Sequence, residues 1–273
     1  MQLWLAIVIV VALDAAVAGA MLWIRRRAPD GSFFHDSQRA AGAFAVGGTT
    51  FAVIVGFVFL LAFQSYQSAR SNSRDEALAA LALFNAAEHF GQPAQSALQS
   101  DLVCYSRAVI FDEWPAMADE RSSVLVENWL FQLNTRFATL NPRGLGQSAA
   151  AQNWFDESDS LEAARRGRLA EASRVVPTTI WVLLLVAAAA VIGFVLLFAD
   201  SGERIVSQIA MVLTVTTAIA VSLLTVNFVD RPYGDHDGAI TPSAMRGVLA
   251  TMQREQAALG QSPPRCTAAG QPT

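Results

Sequence analysis

The chain has 273 residues, 53% of them hydrophobic and 15% charged, with a formal net charge of −4 and a mean hydropathy of +0.36. Average soluble domains have about a quarter of their residues charged, so this composition excludes an ordinary soluble domain and points to an integral membrane protein. Every basic residue is arginine, a bias that reflects genomic base composition more than function, and no duplex nucleic acid is expected as a partner.

Apolar runs of membrane length occupy residues 3 to 24, 43 to 63, 178 to 199 and 206 to 229. Each reaches the ~20 residues that a helix needs to cross ~30 Å of hydrocarbon. In lipid, backbone polar groups must be bonded internally, so runs this poor in charge can only be helices. Ala16-Val17-Ala18 and Ala18-Gly19-Ala20 resemble small-residue cleavage sites. No basic stretch precedes the run and it is too long for a signal peptide, so a retained helix is expected.

The expected organisation is a first helix pair in 1–66, a helical extramembrane domain in 67–175, a second pair in 176–230, and a C-terminal helix with a mobile tail in 231–273. Ala77, Leu81, Phe84 and Ala87 recur at helical spacing. Residues 96 to 112, 119 to 139 and 147 to 174 also read as amphipathic helices, broken by Pro93, Pro115 and Asn141-Pro142-Arg143-Gly144. Thr241-Pro242-Ser243 opens a last helix that runs to Ala258. The fold class is therefore all-α, with four transmembrane helices in two pairs and a helical extramembrane domain.

Four spans place the middle domain and the tail on one side and the two short connections on the other. Positive charge is split between the sides: Arg25, Arg26, Arg27 and Arg39 lie in the first connection, while Arg70, Arg74, Arg165, Arg166, Arg168 and Arg174 flank the middle domain. Cys104 and Cys266 lack metal-ligand spacing, and a pair alone does not fix a redox compartment.

Several local patterns together resemble the bacterial bestrophin-like family. They are His35-Asp36, Gly48, Gly56-Phe57, Tyr66, Asp75-Glu76-Ala77, Tyr105, Glu113-Trp114-Pro115, Pro177 with Trp181, and Arg231-Pro232-Tyr233-Gly234. The resemblance spans most of the chain. It implies a bestrophin-like fold, an oligomeric and anion-permeable channel, a tetramer or pentamer in a bacterial inner membrane, and a cytoplasmic domain with cytoplasmic termini.

Candidate functional residues follow. Asp14, near the centre of the first span, is costly in lipid and should face a packed or wet interior; it is either functional or a protonated acid bonded to a neighbouring helix. Phe44, Phe51, Val55, Phe59 and Tyr66 share one helix face, and by resemblance Phe51, Val55 and Phe59 would form a dewetted pore constriction. The same stripe also suits packing, with Gly47, Gly48 and Gly56 on other faces. Ser207, Thr214, Thr217, Ser222 and Thr225 form a hydroxyl face that either lines a wet path or bonds back to its own helix.

Glu113, Trp114 and Pro115 end a helix, as a structural corner or as a gating element in which Glu113 pairs with Arg107 or Arg231. Arg231 and Pro232 begin the turn after the last span. Asp235, His236 and Asp237 are a weak candidate for calcium. Arg165, Arg166, Arg168 and Arg174 form a basic cluster suited to membrane lipid headgroups or to an anionic ligand such as a nucleotide or oligonucleotide.

No phosphate loop with its lysine, His-Glu-x-x-His, Cys-x-x-Cys or nucleophile elbow is present, and Gly144-Leu145-Gly146 is an isolated fragment. No enzyme activity, metal or cofactor is expected. The leading expectation is an oligomeric ion channel whose helical domain senses a ligand. The alternatives are a non-conducting scaffold or sensor, favoured if Phe51 and Phe59 pack within one subunit, and a ligand-controlled effector that depolarises the membrane.

Overall fold

A computed structural model of the chain describes residues 2–28, 33–34 and 36–273. His35, one of the residues carrying the resemblance, lies outside them. The helices are α1 (Leu3–Arg25), α2 (Ser37–Ala86), α3 (Ala94–Ala108), α4 (Trp114–Ala118), α5 (Val124–Ala138), α6 (Gly144–Ala170), α7 (Thr178–Leu196), α8 (Ile205–Val229) and α9 (Ser243–Ala258). A short 3₁₀ turn over Ala87–Phe90 extends α2, and a π turn over Val109–Glu113 joins α3 to α4. Among the described residues the only extended pairing is an isolated bridge between Cys266 and Pro272.

The chain divides into two compact units. The membrane unit comprises Met1–Ser65, Arg174–Arg231 and His236–Gly238; the helical domain comprises Tyr66–Ser173, Pro232–Asp235 and Ala239–Thr273. Among the described residues, four helices are long and apolar enough to span a membrane: α1, α2, α7 and α8. The protein is thus an all-α integral membrane protein. Local chemistry sets several helix starts: Asp36 accepts from the Arg39 amide at 3.1 Å at the head of α2, and Ser123 accepts from the Val126 amide at 3.2 Å to cap α5.

Inside the membrane unit, Val17 and Met21 of α1 pack with Val195 and Val212 of α7 and α8. Phe51, Val55 and Ala62 of α2 pack with Leu184 and Ala188 of α7 and Ile219 and Val226 of α8. Val8, Val11, Val46, Phe57, Leu183 and Val186 remain exposed, as surface left for lipid or other subunits requires.

The helical domain buries a core of its own, including Leu83, Phe84, Leu102, Tyr105, Trp129 and Trp154. The Ala77, Phe84 and Ala87 face faces this core as the periodicity predicts. Gly167 of α6 comes close to α2: a Cβ there would lie 2.5 Å from the Asn72 side chain, which would have to move.

The mobile tail expected after α9 is corrected. Cys266 forms a disulfide with Cys104 on α3, and Arg107 donates to the carbonyls of Cys266 and Thr267, both at 3.1 Å. Trp129 Nε1 donates to Gly270 O at 2.8 Å, and Gly270 (φ +82°) lies so near Ala108 that a Cβ would approach its nitrogen to 2.5 Å. Glycine, proline and glutamine content suggested disorder; contacts to α3 and α5 override it.

Candidate functional site

The acidic and basic residues of two motifs converge in the helical domain. α2 carries Glu76, α3 carries Tyr105, the π turn ends on Glu113, and α6 carries Arg165 and Arg168 one turn apart. Arg168 Nη2 lies 2.9 Å from Glu76 Oε1 and 2.5 Å from Glu113 Oε2, and its Nε also donates to Glu76. Arg165 Nη2 donates to Glu113 Oε1 at 2.5 Å, and Tyr105 donates to Glu76 Oε1 at 2.5 Å. All five side chains are buried.

The two carboxylates and two guanidinia balance in charge, which is what allows them to be buried together. Burial pushes the Glu113 carboxyl up, but Arg168 and Arg165 outweigh it and hold it below the usual carboxylate range. Burial likewise opposes the charge of Arg168, while Glu76 and Glu113 more than offset it and raise its pKa. Tyr105 is pushed well up by burial and then by Glu76, so it stays a neutral donor.

This network reassigns three sequence expectations. Glu113 pairs with Arg165 and Arg168; Arg107 is instead engaged by the tail carbonyls. Arg165, Arg166, Arg168 and Arg174 do not form one basic surface, because Arg165 and Arg168 are buried in ion pairs and Arg166 pairs with Glu162 at 3.3 Å. Arg174 is exposed. Acids far away in sequence consumed the cluster.

The Glu-Trp-Pro and Arg-Pro-Tyr-Gly motifs do meet, through their aromatic members. Trp114 and Tyr233 rings stand edge to face at 5.5 Å, and Trp114 Nε1 donates to Ile240 O at 3.1 Å. Tyr233 OH donates to Ala69 O at 2.8 Å and lies 2.9 Å from Ser73 Oγ; burial pushes its pKa up to about 12. Pro115 sits in the first turn of α4, where its missing N–H costs nothing. Pro232 accepts from the Ile240 amide at 2.8 Å, and Arg231 O lies 2.7 Å from His236 Nε2.

In the membrane unit, Phe51 and Val55 are buried at 7% and 5% exposure against α7 and α8 of the same subunit. Phe59 is half-buried and stacks on Phe63 at 5.9 Å. The expected constriction therefore turns inward, where it lines a cavity of about 550 Å³ together with Thr214, Ser222 and Thr225. Those hydroxyls donate to their own helix carbonyls at Ala210, Ala218 and Val221. The opposite face of α2 presents Val46, Val53, Phe57 and Leu60, all exposed.

Asp14 Oδ2 accepts from Thr217 Oγ1 at 2.7 Å, linking α1 to α8, while Oδ1 is buried without a partner. Thr217 thus belongs to a helix–helix bond. Asp237 accepts from the Leu3 amide at 2.7 Å, and among the described residues no group of three or more histidines, cysteines or acids could hold a metal. Asp230 escaped the sequence reading: it accepts from the Val176 amide at 2.7 Å and from Trp181 Nε1 at 3.2 Å, tying the start of α7 to the end of α8. Its place beside Arg231-Pro232 was the available signal.

A bestrophin-like domain model matches residues 11–245. Among solved structures, a variant of a bacterial bestrophin homologue from Klebsiella pneumoniae is 14% identical with a TM-score of 0.70, covering 93% of this chain and 98% of that one. A second variant of the Klebsiella homologue is 15% identical with a TM-score of 0.67, over 94% and 98% of the two chains. A structure described as a membrane protein gives 15% identity, a TM-score of 0.69, and coverage of 93% and 99%. No curated protein matches the chain. With the family match extending across most of the sequence and the same fold in these structures, the chain belongs to the bestrophin-like family.

Proposed function

We propose that the protein is a homo-oligomeric, anion-permeable channel in which α2 faces a shared axis. The observation that carries this reading is the unpacked face of α2. Val46, Val53, Phe57 and Leu60 are exposed in the subunit, and their spacings of seven, four and three residues align them on one side of a helix. Lined up around an axis, such a stripe gives the dewetted apolar neck that gates by exclusion of water. Phe57 is its bulkiest member and the proposed constriction, in place of Phe51 and Val55. The oligomer is a tetramer or pentamer, and the helical domain is the element through which a ligand acts on the gate.

Proteoliposomes test this. Chloride efflux should exceed potassium efflux and should rise in Phe57→Ala, whereas Phe51→Ala should lower stability without opening the path. A monomer in mild detergent would sink the channel reading. A second reading, a non-conducting scaffold or sensor, is favoured by the inward packing of Phe51 with α7 and α8. No flux from the wild type or Phe57→Ala, in a protein that remains oligomeric, would put that reading first.

A further inference from the structure

From the disulfide and the order of the spans, we infer that the helical domain and the C-terminal tail face the oxidising side of the membrane, with both short connections in the cytosol. This reverses the sidedness that the family resemblance implies. The bond joins Cys104 to Cys266 across 162 residues, and the chain has no other cysteine. Cys104 is fully buried and Cys266 is 6% exposed. Arg107, Trp129 and Ser100 hold the flanking backbone through Cys266 O, Gly270 O and the Arg265 amide. It is a structural bond built into the domain core, and cytosolic glutathione and thioredoxin keep such thiols reduced.

Chain connectivity agrees with the bond. Cys104 lies between the second and third spans and Cys266 after the fourth, so the two crossings between them return the chain to the same side. The connections on the other side carry Arg25, Arg26, Arg27, Arg39 and Arg204. The positive-inside rule counts short loops, up to about 60 residues, together with charges within about 15–20 residues of a span end, so Arg70, Arg74, Arg174 and Arg231 on the domain side count as well. Arg165 and Arg168 are neutralised in buried pairs, but the other four leave positive charge divided between the two sides, and the disulfide decides the assignment.

The test is a pair of fusions after Thr273 in a bacterial host: alkaline phosphatase, active only when oxidised outside the cytosol, and green fluorescent protein, bright only inside it. Active phosphatase with a dark fluorescent fusion is expected; inactive phosphatase with a bright fluorescent fusion overturns the inference. A maleimide mass tag applied to the unfused, denatured protein from acid-quenched cells gives a second readout. Two tags should attach only after reduction, and tagging without reduction would also overturn it. Neither readout depends on ion conduction.

Independently of the disulfide, we propose that Arg70 and Arg74 bind a phosphate- or carboxylate-bearing anion. Among the described residues Arg107, Arg136, Arg165, Arg166 and Arg168 are each bonded to an acid or a carbonyl. Arg70 and Arg74, one turn apart on α2, have no carboxylate partner there and line a cavity of about 540 Å³ with Tyr66, Thr241 and Ser243. Like charges at this spacing repel, and a bound anion would relieve that repulsion. The first turn of α9, uncapped by any side chain, adds donors to the same cavity wall.

Calorimetry on the purified protein with inorganic phosphate, and co-sedimentation with phosphatidylglycerol against phosphatidylcholine vesicles, separate a free anion from a lipid headgroup. Binding in either arm that is lost in the Arg70→Gln, Arg74→Gln double variant supports the site and names its source. Binding in neither arm, or binding that survives the double substitution, overturns it.

Discussion

The two units bury polar groups in opposite ways. The helical domain encloses two acids, two arginines and a tyrosine and satisfies them against one another. The membrane unit buries apolar side chains almost throughout and holds its acids singly: Asp230 is satisfied by the Val176 amide and Trp181, while Asp14 has one satisfied oxygen and one orphan. A balanced ionic network has one arrangement that satisfies every member, so it specifies the domain at the expense of tolerance to substitution. Apolar packing in lipid is less exacting, and it leaves exposed stripes such as that on α2 available to neighbours.

The sharpest way to break this contrast is Glu113→Gln. It keeps the shape but leaves Arg168 with Glu76 and Arg165 with only the half-exposed Glu127 at 3.8 Å, and removing one member of a buried ionic set costs about 3–5 kcal/mol. Thermal unfolding in detergent should show that loss, with Glu113→Gln plus Arg165→Gln recovering part of it; a loss below about 1 kcal/mol would mean the network is not specifying the domain. Because Glu113 is held below its ordinary value of 4.5, its contribution is complete above that pH. It is lost as pH falls through the lower folded value, so the variant should lack this acid limb.

Next in size is Cys104→Ser. Opening a structural disulfide costs about 2–5 kcal/mol, and here it should also free the tail. Protease should then cleave after Gly260 while the core from Leu83 to Trp154 stays protected. A tail that remains protected would show that Trp129 and Arg107 hold it unaided.

The same contrast explains what was legible in the sequence. Spans were legible because composition alone, without any pairing, decides whether a segment enters lipid. The face of Ala77, Phe84 and Ala87 was legible because one helix carries the whole pattern. The aromatic stripe on α2 was found, but its destination was not. Periodicity says that Phe51 and Val55 are covered and is silent on whether α7 and α8 or a symmetry axis covers them. The arginines of α6 misled because their acids lie 92 and 55 residues away on α2 and the π turn. Nothing in a linear reading joins Glu76 to Arg168, or Cys266 to Cys104.

A smaller effect is expected from Tyr233→Phe. Its hydroxyl bonds Ala69 O, so the loss should be about 1 kcal/mol at neutral pH. The folded pKa of about 12 exceeds the ordinary 10.0, so the folded state holds the phenol proton more tightly. That contribution is complete below pH 10 and is lost as pH rises through about 12. Tyr105, also pushed up by burial, keeps both proteins sensitive to alkali. The difference between wild type and variant isolates Tyr233, and it should shrink across this window.

The smallest effect probes the membrane unit. Thr217→Val removes the bond to Asp14, and interhelical hydrogen bonds in membranes contribute about 0.6 kcal/mol on average. Asp14→Asn should change stability by no more, because an amide oxygen can still accept from Thr217. The stronger consequence concerns ions. Asp14 is bonded across α1 and α8, so, on the channel reading proposed above, Asp14→Asn should leave the reversal potential of the reconstituted protein unchanged in a chloride or potassium gradient. A shift would place an ionised carboxylate on the conduction path, where it would favour cations. The membrane unit would then carry a charge that serves conduction, in contrast to the helical domain, whose charges are spent on one another.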